Sequence, residues 1–377
     1  MKAIILAGGS PKEIKLITGK KESRSLLKFP RGTLLDIYLN IILRYFDSAI
    51  VVSDDGKVAD YCYNVPGCIF VEQKLGGIEG ALCSALASES VAGEQLITVI
   101  YGDIYAEDSM LSAHIARVFK DYEPLITVTK PVVLRGTFLK IDADPIDQRV
   151  LSVGSGPYVY AGILTADAGT LRSLLCKDGK TVHEAIQELA KKGLRANIWL
   201  GEWVDIDTPW DYLLAIRLDL EKIRGIRIEN EANVAETAIL EGTVYVAKGA
   251  RIDHNAVIKG PAYIGKNALV GTNAFIRDHV AIFESSIIGA FSEIKRSVVY
   301  TRAKIASHSY IADSLVGAYA NVAPYTLTIN IPYGEVKEEV RLTSTQPLEA
   351  FKVGAIITAY SKTEPREVIK PATIYTK

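Results

Sequence analysis

The chain has 377 residues, 49% of them apolar and 23% charged, with a formal net charge of −1 at pH 7. That length exceeds one ordinary hydrophobic core and predicts two domains, and the balanced charge excludes the basic field that holds nucleic acid or an anionic membrane. No apolar run reaches the ~18 residues of a transmembrane helix, and four scattered cysteines (Cys62, Cys68, Cys83, Cys176) without CxxC spacing predict thiols in a reducing cytoplasm and no structural zinc.

The opening MKAIILAGGSPKE has too short an apolar core for a signal peptide and predicts a buried first strand. Short apolar runs then alternate with amphipathic stretches up to residue 224. Strands are expected at 3–7, 49–53, 68–72, 96–101, 125–129 and 158–164. Helices are expected at 33–46, 79–87, 110–119, 168–176, 181–192 and 209–224. Helices between strands predict an α/β fold with a doubly wound, mostly parallel sheet, whose ligands sit beyond the carboxyl ends of the strands.

Three segments fall at such strand ends. Leu6-Ala7-Gly8-Gly9 runs from a strand into a glycine pair, where backbone N–H groups approach a phosphate or form a plain tight turn. Gly76-Gly77 opens a helix and suits an anion or a base, or serves only as a helix entry. Gly102-Asp103 places a carboxylate just past a central strand, as a Mg²⁺ ligand or as a helix cap. Later, Asp205 and Asp207 precede Thr208-Pro209, a good helix start, and could complete a metal site with Asp103.

From residue 225 the pattern changes. Every sixth residue from Ile228 through Val234, Leu240, Val246, Ile252 and onward to Ile294 is aliphatic, and the residue four places later is small or β-branched, as at Ala232, Ala238, Val244 and Ala250. Neither a helix nor an ordinary strand has that period. Hexapeptide repetition predicts a parallel β-helix, three hexads to a coil, over 225–377. The frame slips near 300, resumes at Ile305, Ile311, Val316 and Val322, breaks at an insertion spanning 332–348, and ends in a degenerate coil between Val353 and Ile374.

Together these segments resemble the sugar-1-phosphate nucleotidylyltransferases that carry a C-terminal left-handed β-helix, including the bifunctional N-acetylglucosamine-1-phosphate uridylyltransferases. The family's LAGGxGTRLxPLT aligns with residues 6–18, its GD with Gly102-Asp103, its WxDxGTP with Trp203 to Pro209, and its NAG with Ala161-Gly162. The resemblance implies a Rossmann-like domain over 1–224 that transfers a nucleoside monophosphate from an NTP to a sugar 1-phosphate. It implies a Mg²⁺ cofactor on Asp103 and Asp205. It puts Arg24 in the place of the family's phosphate-facing lysine. The nucleotide would lie against Leu6, Ala7, Gly8, Gly9, Gln73, Gly76, Gly77 and Gly102, and the sugar against Gly136, Ala161 and Gly162. A cytoplasmic homo-oligomer, a trimer through the β-helix, is implied as well.

The family's GTR triplet is replaced by Pro11-Lys12-Glu13, so Glu13 stands where an arginine faces the triphosphate, and Asp207 replaces a glycine. These departures keep a second possibility open, a non-catalytic subunit that binds nucleotide sugar. A third is acetyl transfer from acetyl-CoA, because His308, Tyr310 and Asn330 resemble the base and orienting residues of the bifunctional enzymes' second centre. The remaining histidines (His114, His183, His254, His279) are expected on the surface without partners. Two Met and five Gln in the whole chain suit a heat-adapted source.

Overall fold

The Lys2–Leu6 strand lies at the centre of a nine-stranded sheet, hydrogen-bonded in parallel to Ala49–Ser53 on one side and Leu96–Tyr101 on the other. The computed structural model describes residues 1–9, 12–131, 137–332 and 352–377. The chain divides into two compact units, Met1–Ser10 with Glu22–Asp205, and Pro11–Lys21 with Ile206–Lys377.

In the first unit the parallel part of the sheet continues from Ala49–Ser53 to Cys68–Glu72. Beyond Leu96–Tyr101 the long Tyr158–Asp167 strand enters antiparallel and pairs with Leu96–Tyr101, Leu125–Thr129 and Lys140–Ala143. The sheet is therefore parallel around the first strand and mixed at its other end. The central strands are apolar on both faces: Ala3, Ile4, Ile5, Ile50, Val51, Ile97 and Ile100 are all fully buried, as expected of strands covered on both sides.

The expected helices form at Leu34–Ile42, Gly77–Leu86, Asp108–Asp121, Val182–Lys191 and Pro209–Leu220, and the last begins on a Thr208/Asp211 capping box with Pro209 in its first turn. Two further helices, Lys12–Thr18 and Gly56–Tyr63, escaped the periodicity because each is short. The segment expected as one helix from 168 is a single α-turn, Ala168–Leu171, followed by a π-helical stretch, Arg172–Lys177.

The cysteines are not separate thiols. Cys62 pairs with Cys68, and Cys83 pairs with Cys176 across 93 residues of sequence. Their scattering in sequence hid this, because the Gly77–Leu86 helix packs on the Arg172–Lys177 stretch and only that packing brings Cys83 to Cys176.

The second unit holds the left-handed β-helix. Among the described residues its short strands form three parallel sheets of eight, six and seven strands. Each inward aliphatic stacks on its counterpart one coil on: Val246 on Ile264 on Ile282, Ile252 on Val270 on Ile288, and Ile258 on Ile276 on Ile294. These side chains are fully buried and form one continuous core. The frame slip is a shortened coil: Ile282 pairs with Val299, and Val299 with Val316, each one residue early. Corners take left-handed backbone at Asn255, Asn273, Phe291, His308 and Tyr325. The segment after Pro332 lies outside the described residues up to 351, so the insertion cannot be followed through. The last coil is present at Ile356–Ile357, Val368–Ile369 and Ile374–Tyr375.

Candidate functional site

The carboxyl ends of the parallel strands in the first unit converge on a cavity of about 250 Å³, lined by Leu6, Gly8, Gly9, Arg24, Asp54, Gln73, Gly76, Gly77, Ile78, Ala81, Tyr101 and Asp103. Its floor is the chain leaving the first strand. The Ala7 carbonyl accepts from the Ser53 hydroxyl at 2.9 Å and from the Ser23 hydroxyl at 2.6 Å. Gly9, at φ +80°, donates its N–H to the Asp54 carboxylate at 3.1 Å.

Gly8 is a glycine for lack of room: a Cβ there would sit 2.2 Å from Gln73 Oε1. The Gln73 amide is oriented by two carbonyls, since its Nε2 donates to Leu75 at 2.8 Å and Gly77 at 3.1 Å. Its Oε1 is buried against Gly8 with no hydrogen-bond partner among the described residues. Gly76 caps the Gly77–Leu86 helix without a side chain, so that helix presents backbone N–H groups to the cavity.

On the opposite wall the Leu96–Tyr101 strand ends at Gly102-Asp103. A Cβ on Gly102 would meet the Leu6 carbonyl oxygen at 2.6 Å, and the Gly102 N–H donates to that oxygen at 2.9 Å. This close approach brings Asp103 to the mouth of the glycine turn. The Trp203–Asp205 strand pairs antiparallel with Ile104–Ala106, so Asp205 lies directly across from Ile104, the residue after Asp103. Tyr38 donates its hydroxyl to the Ile104 carbonyl. Burial, and after it the Asp103 and Asp205 carboxylates, hold the Tyr38 phenol well above its ordinary value. Tyr101 is raised in the same way, by burial and then by Asp103, Glu79 and Asp205. Two phenols thus sense both acids. Arg24 Nη2 pairs with Asp103 Oδ2 at 2.6 Å.

Ala161 and Gly162 lie where the pairing of the Tyr158–Asp167 strand with Leu125–Thr129 shifts register. Gly162 has φ +81°, and a Cβ there would strike the Ile104 side chain at 2.1 Å. The Trp203 indole donates to the Ala161 carbonyl at 3.1 Å, tying the expected sugar positions to the strand that carries Asp205. Gly136 lies outside the described residues. Lys12 and Glu13 sit on the Lys12–Thr18 helix of the second unit. Asp207 also belongs to that unit and donates its N–H to the Asp211 carboxylate at 3.2 Å.

The second expected centre takes another form. The His308 ring is sandwiched between Phe291 and Tyr325, with centroids 5.0 Å away on each side and interplanar angles of 1° and 6°. Asn330 donates to the Asp313 carboxylate at 2.7 Å, and Asp313 also takes Arg296 at 2.6 Å and Arg217 at 3.3 Å. No hydrogen bond joins His308 to Tyr310 or Asn330 among the described residues. Tyr310 stands instead beside charged groups. Burial raises its phenol, with Glu293 adding and Arg277 opposing.

Other histidines depart from expectation. His114 is fully buried, its two ring nitrogens 2.8 Å from the Thr127 and Thr165 hydroxyls. Desolvation, helped by Arg117, lowers its pKa to about 3. His279 pairs with Glu221, and His254 bonds Thr237 at 3.1 Å. The sequence reading also passed over Ser23, Ser53 and Asp54, which shape the cavity floor. Their only signal was position, just after predicted strand ends or beside Arg24.

The family model for the GMPPB C-terminal domain matches residues 258–346. Over 95% of its length the chain is 28% identical to the bifunctional protein GlmU of Methanocaldococcus jannaschii, covering 87% of that protein. It is 25% identical to the bifunctional sugar-1-phosphate nucleotidylyltransferase/acetyltransferase of Sulfurisphaera tokodaii, over 98% of this chain and 93% of that one. Among solved structures, a UDP-glucose pyrophosphorylase from Acinetobacter baumanii superposes with a TM-score of 0.50 at 16% identity, covering 59% of this chain and 94% of that one.

Proposed function

We propose that this chain is a sugar-1-phosphate nucleotidylyltransferase that joins an NTP and a sugar 1-phosphate and releases pyrophosphate. The observation that carries the reading is the Arg24–Asp103 pair in the lining of the glycine-rich cavity, with Asp205 on the strand paired beside Ile104. The curated relatives, similar over nearly the whole chain, support it.

Two carboxylates on neighbouring positions are a hard oxygen donor set, short of a complete protein cage. That suits Mg²⁺, which keeps waters and shares its shell with substrate phosphates. Held by Asp103 and Asp205, Mg²⁺ would supply neutralisation of phosphate charge. The rest is done by the chain. Gly8 and Gly9 let the triphosphate approach the backbone, the Gly77 helix end receives part of the nucleotide, and Ala161-Gly162 line the sugar. A sugar-phosphate oxygen attacks the α-phosphorus in line, and the bond to the departing pyrophosphate breaks as the new one forms. The attacking phosphate is already an anion, so no general base is needed, and Arg24 steadies the charge that develops.

The second reading is a binding subunit without turnover. It is favoured by Glu13, which occupies the position of the family's triphosphate-facing arginine and lies on a helix of the second unit. The assembly is a homo-oligomer, a trimer packed through the β-helix, in the cytoplasm of a heat-adapted cell, where structural disulfides persist. Pyrophosphate release measured over a panel of four NTPs and several sugar 1-phosphates tests the function. Mg²⁺-dependent release that disappears in Asp103→Asn supports transfer. Nucleotide-sugar binding with no release from either protein supports the subunit reading.

A further inference from the structure

The cavity holds an electrostatic contradiction. Its lining carries the Asp54 and Asp103 carboxylates, and Arg24 is the one cation among the described residues that line it. Arg24 is spent on Asp103, at 2.6 Å, with both side chains about four-fifths covered. As it stands, the cleft offers a triphosphate more negative than positive charge.

The backbone that carries Arg24 is fixed to the cavity floor. Arg24 opens the short helical turn Arg24–Leu26, whose cap, Ser23, is fastened at both ends. The Ser23 hydroxyl donates to the Ala7 carbonyl at 2.6 Å, and its N–H donates to Asp55 Oδ2 at 2.8 Å. The Arg24 carbonyl in turn accepts from the Leu27 N–H at 3.0 Å. The backbone is thereby tied to the cavity floor, a few bonds from the Gly8-Gly9 turn, while the guanidinium sits at the end of a flexible stem. Asp205, across from Ile104, brings a second carboxylate to the same edge, and two such charges lie together at low cost only with a cation between or beside them.

We propose that Arg24 is an exchange group. It neutralises Asp103 when no metal is bound, and it leaves Asp103 for the nucleotide phosphates when a divalent cation takes its place. The inference rests on the nucleotidyl-transfer reading and adds an ordered, mutually reinforcing uptake of metal and nucleotide. A divalent cation on the Asp103 carboxylate repels the guanidinium held 2.6 Å from Oδ2 and takes over the charge that holds it there. Metal binding therefore hands the cavity its phosphate-binding cation, and by linkage the nucleotide tightens metal binding by the same factor.

Calorimetric titration of the full chain tests this with Mn²⁺ alone, with each of four NTPs in EDTA, and with both together. The wild type is expected to bind Mn²⁺ weakly alone, with a coupling of about tenfold or more once an NTP is present. Arg24→Ala should bind Mn²⁺ alone several-fold tighter than the wild type and lose most of the coupling. Arg24→Lys should keep part of it, because an ammonium pairs with either group without the planar fork. Asp103→Asn should bind an NTP in EDTA several-fold tighter than the wild type, since it breaks the Arg24–Asp103 pair and removes one negative charge from the cavity lining. Mn²⁺ binding Arg24→Ala no tighter than wild type, or Asp103→Asn leaving metal-free nucleotide affinity unchanged, overturns the exchange. Circular dichroism checks that each variant is folded. If no NTP binds any folded protein, the nucleotidyl-transfer reading itself fails, and the Mn²⁺ arm alone then decides the exchange. Absence of Mn²⁺ binding to both wild type and Arg24→Ala counts against it.

Discussion

Cys83, in the helix that begins at the Gly76-Gly77 turn, is disulfide-bonded to Cys176 in the π-helical stretch, with Cα atoms 5.7 Å apart. Two other contacts repeat the link: Arg172 donates to the Leu86 carbonyl at 2.6 Å, and the Val182 N–H donates to Glu79 at 3.0 Å. The helix that borders the glycine-lined cavity is therefore held from its first turn to its last.

Closing a loop of 93 residues removes enough freedom from the unfolded chain to stabilise the fold by about 5 kcal/mol. Cys83→Ser, or reduction with dithiothreitol, should lower the urea midpoint accordingly, and the Cys83→Ser protein should no longer respond to reductant at this site. An oxidised and a reduced wild type with the same midpoint would rule out a stabilising role.

His114 gives a pH signature. Its folded pKa, about 3, lies below the ordinary value near 6.5, so the unfolded chain takes up the proton first. The contribution is complete above about pH 6.5 and is lost as pH falls below it, by up to about 1.4 kcal/mol per unit, until the folded pKa is reached. Thermal melts between pH 7 and 4 should show this slope in the wild type and a shallower one in His114→Asn. Equal slopes would mean that His114 is not the group responsible.

Gly102→Ala forces a methyl to 2.6 Å from the Leu6 carbonyl oxygen. Backbone on both sides leaves no flexible atom to yield, so the first strand and the Asp103 turn must separate, at about 1–3 kcal/mol. Nucleotide affinity and pyrophosphate release should fall together, because the glycine turn and Asp103 are displaced by the same methyl. Unchanged binding would show that the approach of the two turns is not required.

Asp313 is almost wholly buried and accepts from Arg217, Arg296 and Asn330. Asp313→Ala takes the buried carboxylate from Arg217 and leaves Arg296 facing the more exposed Asp278 at 3.7 Å, and should cost about 3–5 kcal/mol, read as a large drop in the urea midpoint. Asp313→Leu should be no better, since the loss comes from the stranded charges and not from lost volume. A midpoint within error of wild type would remove the cluster from the account of stability.

The β-helix was legible residue by residue. A six-residue aliphatic period has one structural solution, and the stacking of Ile264 on Ile282 or Ile258 on Ile276 follows from it. The strands that end in Gly8, Gln73 and Gly102 were legible too, because long apolar runs closed by glycines mark strand ends wherever the chain goes next. Apart from the metal site expected to join Asp103 and Asp205, relations between distant segments were not written in the local patterns. Nothing near Cys83 names Cys176, nothing near His114 names Thr127 or Thr165, and the stacking of His308 between Phe291 and Tyr325 needs two corners one coil apart on either side.

The same division runs through the candidate site. Asp103 and Asp205 could be picked out from their local patterns as partners in one metal site, and Arg24 from the family resemblance, since motif spacing reflects local backbone needs: a glycine for close approach, a carboxylate after a strand, a proline at a helix start. That Arg24 grips Asp103, and that Asp205 stands across from Ile104, was decided by the pairing of the Trp203–Asp205 strand with Ile104–Ala106 and by Ser23 fastening the Arg24 turn to Ala7. Charge interactions fall off within a few ångströms in water and are set by distance in space, and distance between residues far apart in sequence exists only once the chain has folded.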